Sequence, residues 1–491
     1  MKSLIVVENP KRWPFDVDGA EVVAARQYLV EPRFAAMRRV IVYNLCRRLG
    51  YQSVGYYVSL LAAARGHRPL PSVSTVQALT QSTLIRIASE DEDLEREMQR
   101  VLGRLRADEF RLSIYFGRNV ATRYDKLARS IFNQFPAPFL FAKFERVDGW
   151  WRLVGLRLGS ASEIPEKHKE FVLKRANEFF ARPEGPPRRT RAFQYDLAIL
   201  WSADDPTAPS DERAIKRFVR AAARQGIDCS IIEPEDYGRL AEFDALFLRE
   251  TTRVDHHTYR FATRAVAEGL VVMDQPEAIV RATNKVYQAE LFVRNGIPSP
   301  RTFVVHEANR DELVERVGLP LVLKKPDGAF SIGVVKATTP EEIQERLDAL
   351  LEESELVVAQ EFTPSDFDWR IGVLDRRPLF AARYHMAKGH WQIVQGGERD
   401  RKYGKVEAVP FEEVPQAVLD TALRAASLFG DELYGVDLKE IDGRVVVMEV
   451  NDNPNLDAGY EDAVLKDVIY DEIARWFRVR LDHRGSDGNS P

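Results

Sequence analysis

The sequence predicts a multidomain protein that combines α/β and α+β parts. The chain has 491 residues, more than one hydrophobic core usually holds, so we expect roughly two to four domains. Its hydrophobic content of 45% and charged content of 30% are typical of globular domains with packed cores. In the middle of the chain, strand patterns alternate with amphipathic helix patterns, which indicates a mostly parallel α/β layer.

Residues 1–182 are predicted to form a separate amino-terminal α+β domain. Short buried strands are expected at 4–7 and 40–43, and a hairpin is expected around Asp148-Gly149. Helices are expected at 58–65, 82–105, 119–135 and 165–180. The proline-rich run that follows favours no regular structure, so residues 183–193 are predicted to be a linker.

Residues 194–283 are predicted to form an α/β domain. Its strands are expected at 195–201, 229–232, 244–248 and 270–273. Ser210 is expected to cap the first helix, which ends at Gly226. The first strand is not followed by a glycine-rich phosphate loop, so this layer is not expected to bind a dinucleotide alone.

Cations mark the start of the next segment. Lys285 opens a helix, and Lys324 ends a strand just before a loop that contains Gly328 and Gly333. An ammonium group beside backbone N–H donors can neutralise and hold a triphosphate. The glycine loop is a weak signal by itself, because many hairpins share it.

Two further strands end or begin in polar residues. The strand at 356–362 ends in Gln360, Glu361 and Phe362, which can offer backbone groups to adenine and a carboxylate to ribose. On the next strand Asp368 and Arg370 lie two residues apart, on one face. The alternative for Arg370, and for Arg383 on the partner strand, is a salt bridge with Asp368 across the hairpin.

Asp437, Glu449 and Asn451 form the strongest ligand pattern. Glu449 and Asn451 lie two residues apart on an apolar strand, so their oxygens project from one face. A tight turn at 441–444 is expected to pair this strand with the one that carries Asp437. Mg²⁺ prefers such oxygen ligands. Single acids at strand ends are often only loop caps, but the three together favour a metal site.

Charge and cysteine content restrict the partners and the compartment. Lys and Arg number 70 and Asp and Glu number 75, a formal net charge of −5, so neither nucleic acid nor a membrane surface is expected to bind. Cys46 and Cys229 have no metal-type spacing and are expected to be buried thiols in a reducing compartment. No apolar run is long enough for a signal peptide or membrane span, so a cytoplasmic protein is predicted.

The order of these patterns resembles the ATP-grasp ligases, and RimK-type ligases in particular. The resemblance covers residues 195–480, and the first 190 residues resemble the amino-terminal domain found ahead of some RimK-like ATP-grasp proteins. It implies a pre-ATP-grasp domain at 194–283 and a two-lobed ATP-grasp domain at 284–480. The residues 481–491 lack apolar side chains and are predicted to be a disordered tail.

The resemblance also implies a role for each candidate residue, with ATP and two Mg²⁺ ions, replaceable by Mn²⁺, as cofactors. Phosphate contacts would come from Lys285 and Lys324, base and ribose contacts from Gln360, Glu361, Phe362 and Asp368, Mg²⁺ contacts from Asp437, Glu449 and Asn451, and acyl-phosphate or carboxylate contacts from the catalytic residues Arg370 and Arg383.

One departure from the RimK-type pattern concerns the amine substrate. Those enzymes continue with Arg-x-Asn and paired glycines, whereas here Gln392 precedes Gly396-Gly397. Because Gln392 has no fixed charge, glutamate as the incoming amine does not follow. His385 and Lys388 are candidates for supplying the charge; the alternative is that both are ordinary exposed residues.

The implied activity is an ATP-dependent joining of a carboxylate to an amine through an acyl phosphate, with an amino acid such as glutamate as a substrate. Such chemistry needs positioned cations rather than a side-chain nucleophile, which agrees with the lack of a Ser-His-Asp or Cys-His set. The alternatives are a protein-modifying ligase that adds amino acids to a polypeptide, an ATP-grasp kinase and a non-catalytic nucleotide sensor. The oligomeric state is left open, a homo-oligomer included.

Overall fold

The computed structural model describes residues 2–17, 19–80, 92–180, 193–327, 334–388, 390–395, 402–441 and 443–486. The chain divides into two compact units. The first comprises residues 1–195, 235–243 and 484–491, and the second comprises residues 196–234 and 244–483. None of the helices in the described ranges has the length and apolar character needed to cross a membrane.

The first unit contains a parallel sheet and an antiparallel sheet. Strands β1 (Lys2–Val7), β2 (Ala20–Ala24), β3 (Val40–Asn44) and β4 (Arg68–Leu70) form the parallel sheet in the order β2-β1-β3-β4. Strands β5 (Glu109–Tyr115), β6 (Phe139–Val147) and β7 (Trp150–Leu158) form the antiparallel one. The helices are α1 (Ala25–Val30), α2 (Pro32–Ala35), α3 (Val54–Ala64), α4 (Val73–Thr80), α5 (Glu92–Leu102), α6 (Asp125–Gln134) and α7 (Lys169–Phe180).

Most of the elements expected in the amino-terminal domain are confirmed. The two short strands and the hairpin around Asp148-Gly149 are present. Helix α3 begins four residues before the predicted start, because the Ser53 side chain caps it by accepting a hydrogen bond from the Tyr56 N–H. Part of the helix predicted at 82–105 and nearly all of the predicted linker lie outside the described residues.

The second unit begins with a four-stranded α/β layer. Its strands are β8 (Tyr195–Leu200), β9 (Ile227–Ile232), β10 (Ala245–Leu248) and β11 (Val271–Met273), in the order β11-β10-β8-β9. Strand β10 is parallel to both β8 and β11, as the sequence predicts. The helices of this layer are α8 (Glu212–Arg224), α9 (His257–Ala267) and α10 (Pro276–Thr283).

The rest of the second unit contains two larger antiparallel sheets and a short ribbon. Strands β12 (Thr302–Val305), β13 (Leu321–Lys324), β14 (Val334–Ala337) and β15 (Val357–Glu361) form a sheet in the order β12-β15-β13-β14. Strands β16 (Phe367–Leu374), β17 (Arg377–His385), β20 (Val406–Ala408), β21 (Leu433–Ile441) and β22 (Arg444–Asp452) form the other, in the order β20-β17-β16-β21-β22, and β18 (Val394–Gln395) pairs with β19 (Lys402–Tyr403). The helices are α11 (Lys285–Arg294), α12 (Leu313–Val317), α13 (Pro340–Leu351), α14 (Gln416–Ala426) and α15 (Asp467–Ser486).

Two expectations about helix ends are wrong. Helix α8 is capped by Asp211, whose carboxylate accepts the Ala214 N–H at 2.8 Å, whereas the Ser210 hydroxyl donates to the Leu456 carbonyl at 2.9 Å. Helix α15 extends to Ser486, so residues 481–486 are helical rather than a disordered tail. Cys46 is buried as expected, but Cys229 is only half-buried. The proposed boundary at residue 283 falls inside the second unit and stays a prediction.

The five-stranded sheet has one apolar face and one polar face. Trp369, Ile371, Val436 and Val450 belong to a core that also contains Val418 of α14. Because side chains alternate along a strand, the intervening residues of β16, β21 and β22 are directed to the opposite face. Charged residues that follow this alternation are therefore brought together on one surface.

The outer edge of β22 is closed by a side chain from α11. The Gln288 carboxamide accepts the Val450 N–H at 2.8 Å and donates to the Val450 carbonyl at 2.9 Å. These two bonds reproduce the pair that a neighbouring strand would make. Gln288 is buried, so this edge of the sheet is covered by a helix.

The cap of α8 provides a stability test of the corrected helix start. We expect Asp211→Ala to lower the free energy of unfolding by about 1–2 kcal/mol, because it removes the side-chain acceptor of the helix N-cap. Chemical denaturation followed by circular dichroism measures the change. The control is Glu212→Ala, an exposed residue that pairs with Lys216 and whose loss should cost less than about 0.5 kcal/mol. Equal losses in the two variants would contradict the capping assignment.

Candidate active site

The strand register places three charged residues in one row across the five-stranded sheet. Arg370 of β16 lies opposite Asp437 of β21, and Asp437 lies opposite Glu449 of β22. In the neighbouring row, Gly372, Gly435 and Asn451 lie side by side in the same way. Ile441 pairs with Arg444 at the end of this hairpin, as expected, and the pairing brings Asp437, Glu449 and Asn451 together.

Arg370 and Asp437 form a buried, two-pronged ion pair. Arg370 Nη2 donates to Asp437 Oδ2 at 2.8 Å, and Arg370 Nε donates to Oδ1. The residues are 9% and 5% exposed. Burial raises the pKa of Asp437 to about 6, although the neighbouring Arg370 opposes the rise. The alternative considered for Arg370, a salt bridge with Asp368, is therefore wrong.

Asn451 links the two carboxylates of this row. Its Nδ2 donates to Asp437 Oδ2 at 3.1 Å and lies 3.4 Å from Glu449 Oε1. Burial acts to raise the pKa of Glu449, but Lys285, Lys324 and Arg370 outweigh it, and the pKa is lowered. Glu449 is thus held in its charged form by surrounding cations.

A glycine allows Arg370 to lie across this row. A Cβ atom at Gly435 would come within 2.7 Å of the Pro454 Cβ and within 3.1 Å of the Arg370 Cδ. Because real Cβ atoms do not approach other carbons this closely, a larger residue would displace the guanidinium or the chain after Asn453. Gly435 is therefore required for the local packing.

The predicted phosphate-binding lysines line a cleft beside the row. The lining of this small cleft includes Lys285, Gln288, Thr302, Lys324, Gln360 and Glu449. Lys324 Nζ donates to Gln360 Oε1 at 2.7 Å. Burial lowers the pKa of Lys324 to about 8, with Glu449 acting against the shift and Lys285 adding to it. The structure therefore brings together two cations and a carboxylate that the sequence singled out.

The other side chains assigned to the nucleotide have partners within the protein. Glu361 forms an exposed ion pair with Arg301 at 3.1 Å. Asp368 lies 3.1 Å from Lys439 Nζ and accepts from the Ser365 hydroxyl. The backbone N–H groups of Glu361 and Phe362 donate to the Arg301 and Pro320 carbonyls. A nucleotide contact by these N–H groups or by either carboxylate would require an exchange of partner.

Phe362 belongs to a small aromatic group. Lys336 Nζ lies 3.7 Å from the centre of its ring, and Trp391 packs edge-on at 5.6 Å between ring centres. The His390 ring stacks on Trp391. The predicted glycine loop that precedes Val334 lies outside the described residues.

The Arg383 side chain does not lie beside that of Arg370. It lies opposite Trp369 in the β16–β17 pairing, and because side chains alternate it belongs to the other face of the sheet. Its guanidinium lies 4.9 Å from the Trp369 ring and 5.3 Å from the Phe367 ring. The structure therefore does not bring Arg383 together with Arg370, contrary to the prediction that both face the same substrate group.

The predicted substrate-binding residues His385, Lys388 and Gln392 lie apart from one another. His385 Nε2 lies 3.2 Å from Glu407 Oε2, so an acid already faces this imidazole. Lys388 is exposed. The Gln392 backbone N–H donates to His390 Nδ1 at 3.1 Å, and its Nε2 is buried with no partner among the described residues. These residues do not form a common anion-binding group.

A buried arginine that was not predicted as a site residue, Arg249, holds the chain beside the site. Arg249 directly follows β10 and is fully buried. Its Nη1 donates to Asn453 Oδ1 at 2.7 Å, and its Nη2 donates to the Pro454 carbonyl at 3.0 Å. The signal was an apolar strand that ends in Arg249-Glu250. These bonds fix the chain just after Asn451 against the α/β layer.

Tyr384 and Glu461 were also missed. The Tyr384 ring centre lies 4.7 Å from the Arg370 guanidinium, and its hydroxyl donates to Glu461 Oε1 at 2.5 Å. The other Glu461 oxygen accepts the Asp457 N–H at 2.8 Å. Tyr384 therefore packs against the Arg370 guanidinium and connects it to the chain segment that follows Pro454.

Two protein-family models match separate segments of this chain. The family model for the RimK-like ATP-grasp N-terminal domain matches residues 25–175, and that for the RimK-like ATP-grasp domain matches residues 282–473. A probable alpha-L-glutamate ligase from Vibrio vulnificus is 30% identical over 243 residues, covering 48% of this chain and 78% of the relative. The chain belongs to the RimK-like ATP-grasp family. A probable alpha-L-glutamate ligase from Teredinibacter turnerae is also 30% identical, over 237 residues, covering 48% of this chain and 76% of the relative.

Solved ATP-grasp structures resemble this RimK-like chain more distantly. The RimK domain ATP-grasp protein from Sphaerobacter thermophilus is 16% identical, with a TM-score of 0.46, and the match covers 57% of this chain and 98% of that one. The D-alanine–D-alanine ligase from Bacillus anthracis complexed with ATP is 14% identical, with a TM-score of 0.47, over 59% of this chain and 99% of that one.

The buried ion pair of this RimK-like protein gives a second stability test. We expect Arg370→Met to lower the free energy of unfolding by about 3–5 kcal/mol, because it leaves the buried Asp437 carboxylate without its countercharge. The double variant Arg370→Met with Asp437→Leu should lose clearly less. Chemical denaturation of the ligand-free protein measures both.

The matched control is the surface pair Arg376–Asp431, whose side chains are 66% and 45% exposed. Arg376→Met should cost about 1 kcal/mol or less. If Arg370→Met were as mild as this control, the buried pair would not have the structural role assigned to it.

Proposed function

We propose that this protein is an ATP-dependent ligase that joins a carboxylate to an amine through an acyl phosphate. The observation that carries the proposal is the row Arg370–Asp437–Glu449, with Lys285 and Lys324 lining the adjoining cleft. This arrangement suits the transfer of a phosphoryl group, because such catalysis depends on positioning and on charge stabilisation. Membership of the RimK-like ATP-grasp family and the names of the two curated relatives support it.

The donor set fits Mg²⁺. Asp437 and Glu449 offer carboxylate oxygens on one sheet surface, the ligand type that Mg²⁺ prefers. Asn451 turns its Nδ2 toward both carboxylates, so its carboxamide would rotate to present Oδ1 to the ion. Burial makes a bare carboxylate costly at Asp437, and a divalent cation would offset that cost. When bound, Mg²⁺ neutralises the charge on phosphate oxygens. Arg370 already holds Asp437, so it would share this carboxylate with the metal.

The lysines and Arg370 have distinct proposed roles. Lys285 and Lys324 bind the phosphates, with Gln360 orienting the Lys324 ammonium. Gln360 and Phe362 contact the adenine base of ATP. Glu361 and Asp368 accept hydrogen bonds from the ribose hydroxyls in place of their ion pairs with Arg301 and Lys439. Arg370 has five N–H donors, of which Asp437 occupies two, so others can hold the acyl phosphate.

The reaction then proceeds in two displacements. A carboxylate oxygen of the first substrate attacks the γ-phosphorus of ATP, and ADP leaves. The amine, after its ammonium form has lost a proton to solvent, attacks the acyl carbon through its nitrogen. The C–N bond forms, the acyl C–O bond to phosphate breaks, and inorganic phosphate leaves while the nitrogen releases a second proton. The cationic side chains stabilise the charge that develops on the phosphate oxygens in both steps. We propose small-molecule substrates, with an amino acid such as glutamate as one of them.

A screen of amino acids and dicarboxylates with Mg-ATP tests this function. The expected result is phosphate release that depends on both a carboxylate and an amine, with a condensed product identified by mass spectrometry. Addition of mass to a polypeptide instead would favour the protein-modifying ligase. ADP formation without any amine would favour a kinase.

Removal of one proposed metal ligand tests the centre directly. We expect Glu449→Gln to reduce amine-dependent ADP formation by at least about 100-fold, and Asp437→Asn to do the same, while circular dichroism stays unchanged. Glu449→Gln is the cleaner change, since Asp437→Asn also leaves Arg370 without its countercharge. The control is Glu440→Gln, an exposed acid on the same hairpin; full activity in either ligand variant would refute the metal assignment.

Two adjacent lysines allow a matched test of nucleotide binding. We expect Lys324→Met to weaken ATP binding by about 10- to 100-fold, because a desolvated ammonium–phosphate contact is lost. The control is Lys325→Met, whose ammonium instead pairs with Glu353 and which should change the affinity less than about threefold. Calorimetric titration with ATP measures both; similar losses in the two variants would remove Lys324 from the phosphate site.

A further inference from the structure

A buried glutamate after β10 has one carboxylate oxygen that is not satisfied within the protein. Glu250 is 3% exposed. Its Oε2 lies 2.5 Å from Nε2 of His257, the first residue of α9. Its Oε1 is buried and has no hydrogen-bond partner in the described part of the chain. Buried carboxylate oxygens are normally paired with a donor, so Oε1 is a place for a donor that a ligand brings.

The position of Glu250 relates it to the candidate active site. Asn453 Nδ2 donates to the Glu250 backbone carbonyl at 2.6 Å, while Asn453 Oδ1 accepts from the Arg249 guanidinium. Asn453 is two residues beyond Asn451, the last of the proposed metal ligands. Glu250 therefore lies on the carboxyl end of a parallel strand, where α/β layers bind ligands, and is clamped to the segment that leaves the metal site.

The surroundings select a cation that carries N–H donors. His256 stacks on His257 at 3.9 Å between ring centres, and burial together with His257 lowers the His256 pKa, which favours its neutral form. The nearby Arg253 is paired with Asp255 at 2.6 Å. A primary ammonium group suits a lone carboxylate oxygen better than a metal does.

We propose that Glu250 binds the ammonium group of the amine substrate through Oε1, while His257 holds the other oxygen. The identification of the ligand as the acceptor amine rests on the ligase function proposed above. The His257 side chain is 21% exposed, so the ligand approaches Glu250 past this imidazole ring. The ligand class is a primary amine that is protonated in solution, such as the α-amino group of an amino acid. Glu250 binds this ammonium form, which loses a proton to solvent before its nitrogen attacks the acyl carbon.

A binding experiment tests the site without any requirement for ligase activity. The probes are methylammonium chloride, which has N–H donors, and tetramethylammonium chloride, which has the same charge and none, at equal high concentrations. We expect methylammonium to raise the melting temperature of the wild-type protein by about 2–4 °C more than tetramethylammonium does. This difference should vanish in Glu250→Gln and persist in the control Glu277→Gln, an exposed acid of the first turn of α10.

Two results of this experiment would overturn the proposal. One is a wild-type protein that responds equally to the two cations. The other is a Glu250→Gln variant that keeps the full difference. Because Gln is close in size and shape to Glu, a variant with an unchanged circular dichroism spectrum provides a valid comparison.

A kinetic experiment separates substrate binding from a purely structural role. With the substrates found in the screen, Glu250→Gln should raise the KM of the amine by about 100-fold. Hydroxylamine is largely uncharged at mildly alkaline pH, so its conversion to a hydroxamate by the same variant should change less than about threefold. Equal losses with both nucleophiles would make Glu250 structural. If the wild-type protein formed no product with any pair, the ligase function would fail, and the melting experiment would still decide the ammonium site.

Discussion

The register of three antiparallel strands is the constraint on which the candidate site depends. Arg370, Asp437 and Glu449 lie side by side only because β16, β21 and β22 pair in one alignment. A shift of one residue in any strand would move its charged side chain to the apolar face. The packing of Trp369, Ile371, Val436 and Val450 into the core below makes such a shift costly. The hydrophobic face thus fixes the chemistry of the polar one.

Local patterns were sufficient to predict much of this arrangement. The run that contains Glu449 and Asn451 alternates over an apolar strand, and the turn at 441–444 leaves little choice of partner strand. The α/β order of β8, β10 and β11 follows from apolar runs separated by amphipathic helices. In each case the signal lies within a short window of the sequence, where period and turn chemistry act directly on the backbone.

The partners of buried charges could not be predicted in this way. Arg370 is two residues from Asp368, yet it pairs with Asp437, 67 positions away. The reason is that the strand register places Asp437 directly opposite Arg370 on the neighbouring strand. Serine is a favourable helix-capping residue, but the Ser210 hydroxyl donates its hydrogen bond to the Leu456 carbonyl. Asp211 caps the helix instead. Arg383 carries the expected positive charge but lies on the opposite face of the sheet from Arg370. Such choices depend on contacts between distant segments, which composition and period do not encode.

The closure of β22 by Gln288 has a consequence for the order of synthesis. Gln288 and Val450 are 162 positions apart, and the helix that carries the carboxamide leaves the ribosome well before the strand that it covers. Protein chains tend to fold as their segments emerge from the ribosome. Helix α11 can therefore already be formed when β22 joins the sheet. An edge that would otherwise invite pairing between nascent chains is thereby exposed only briefly.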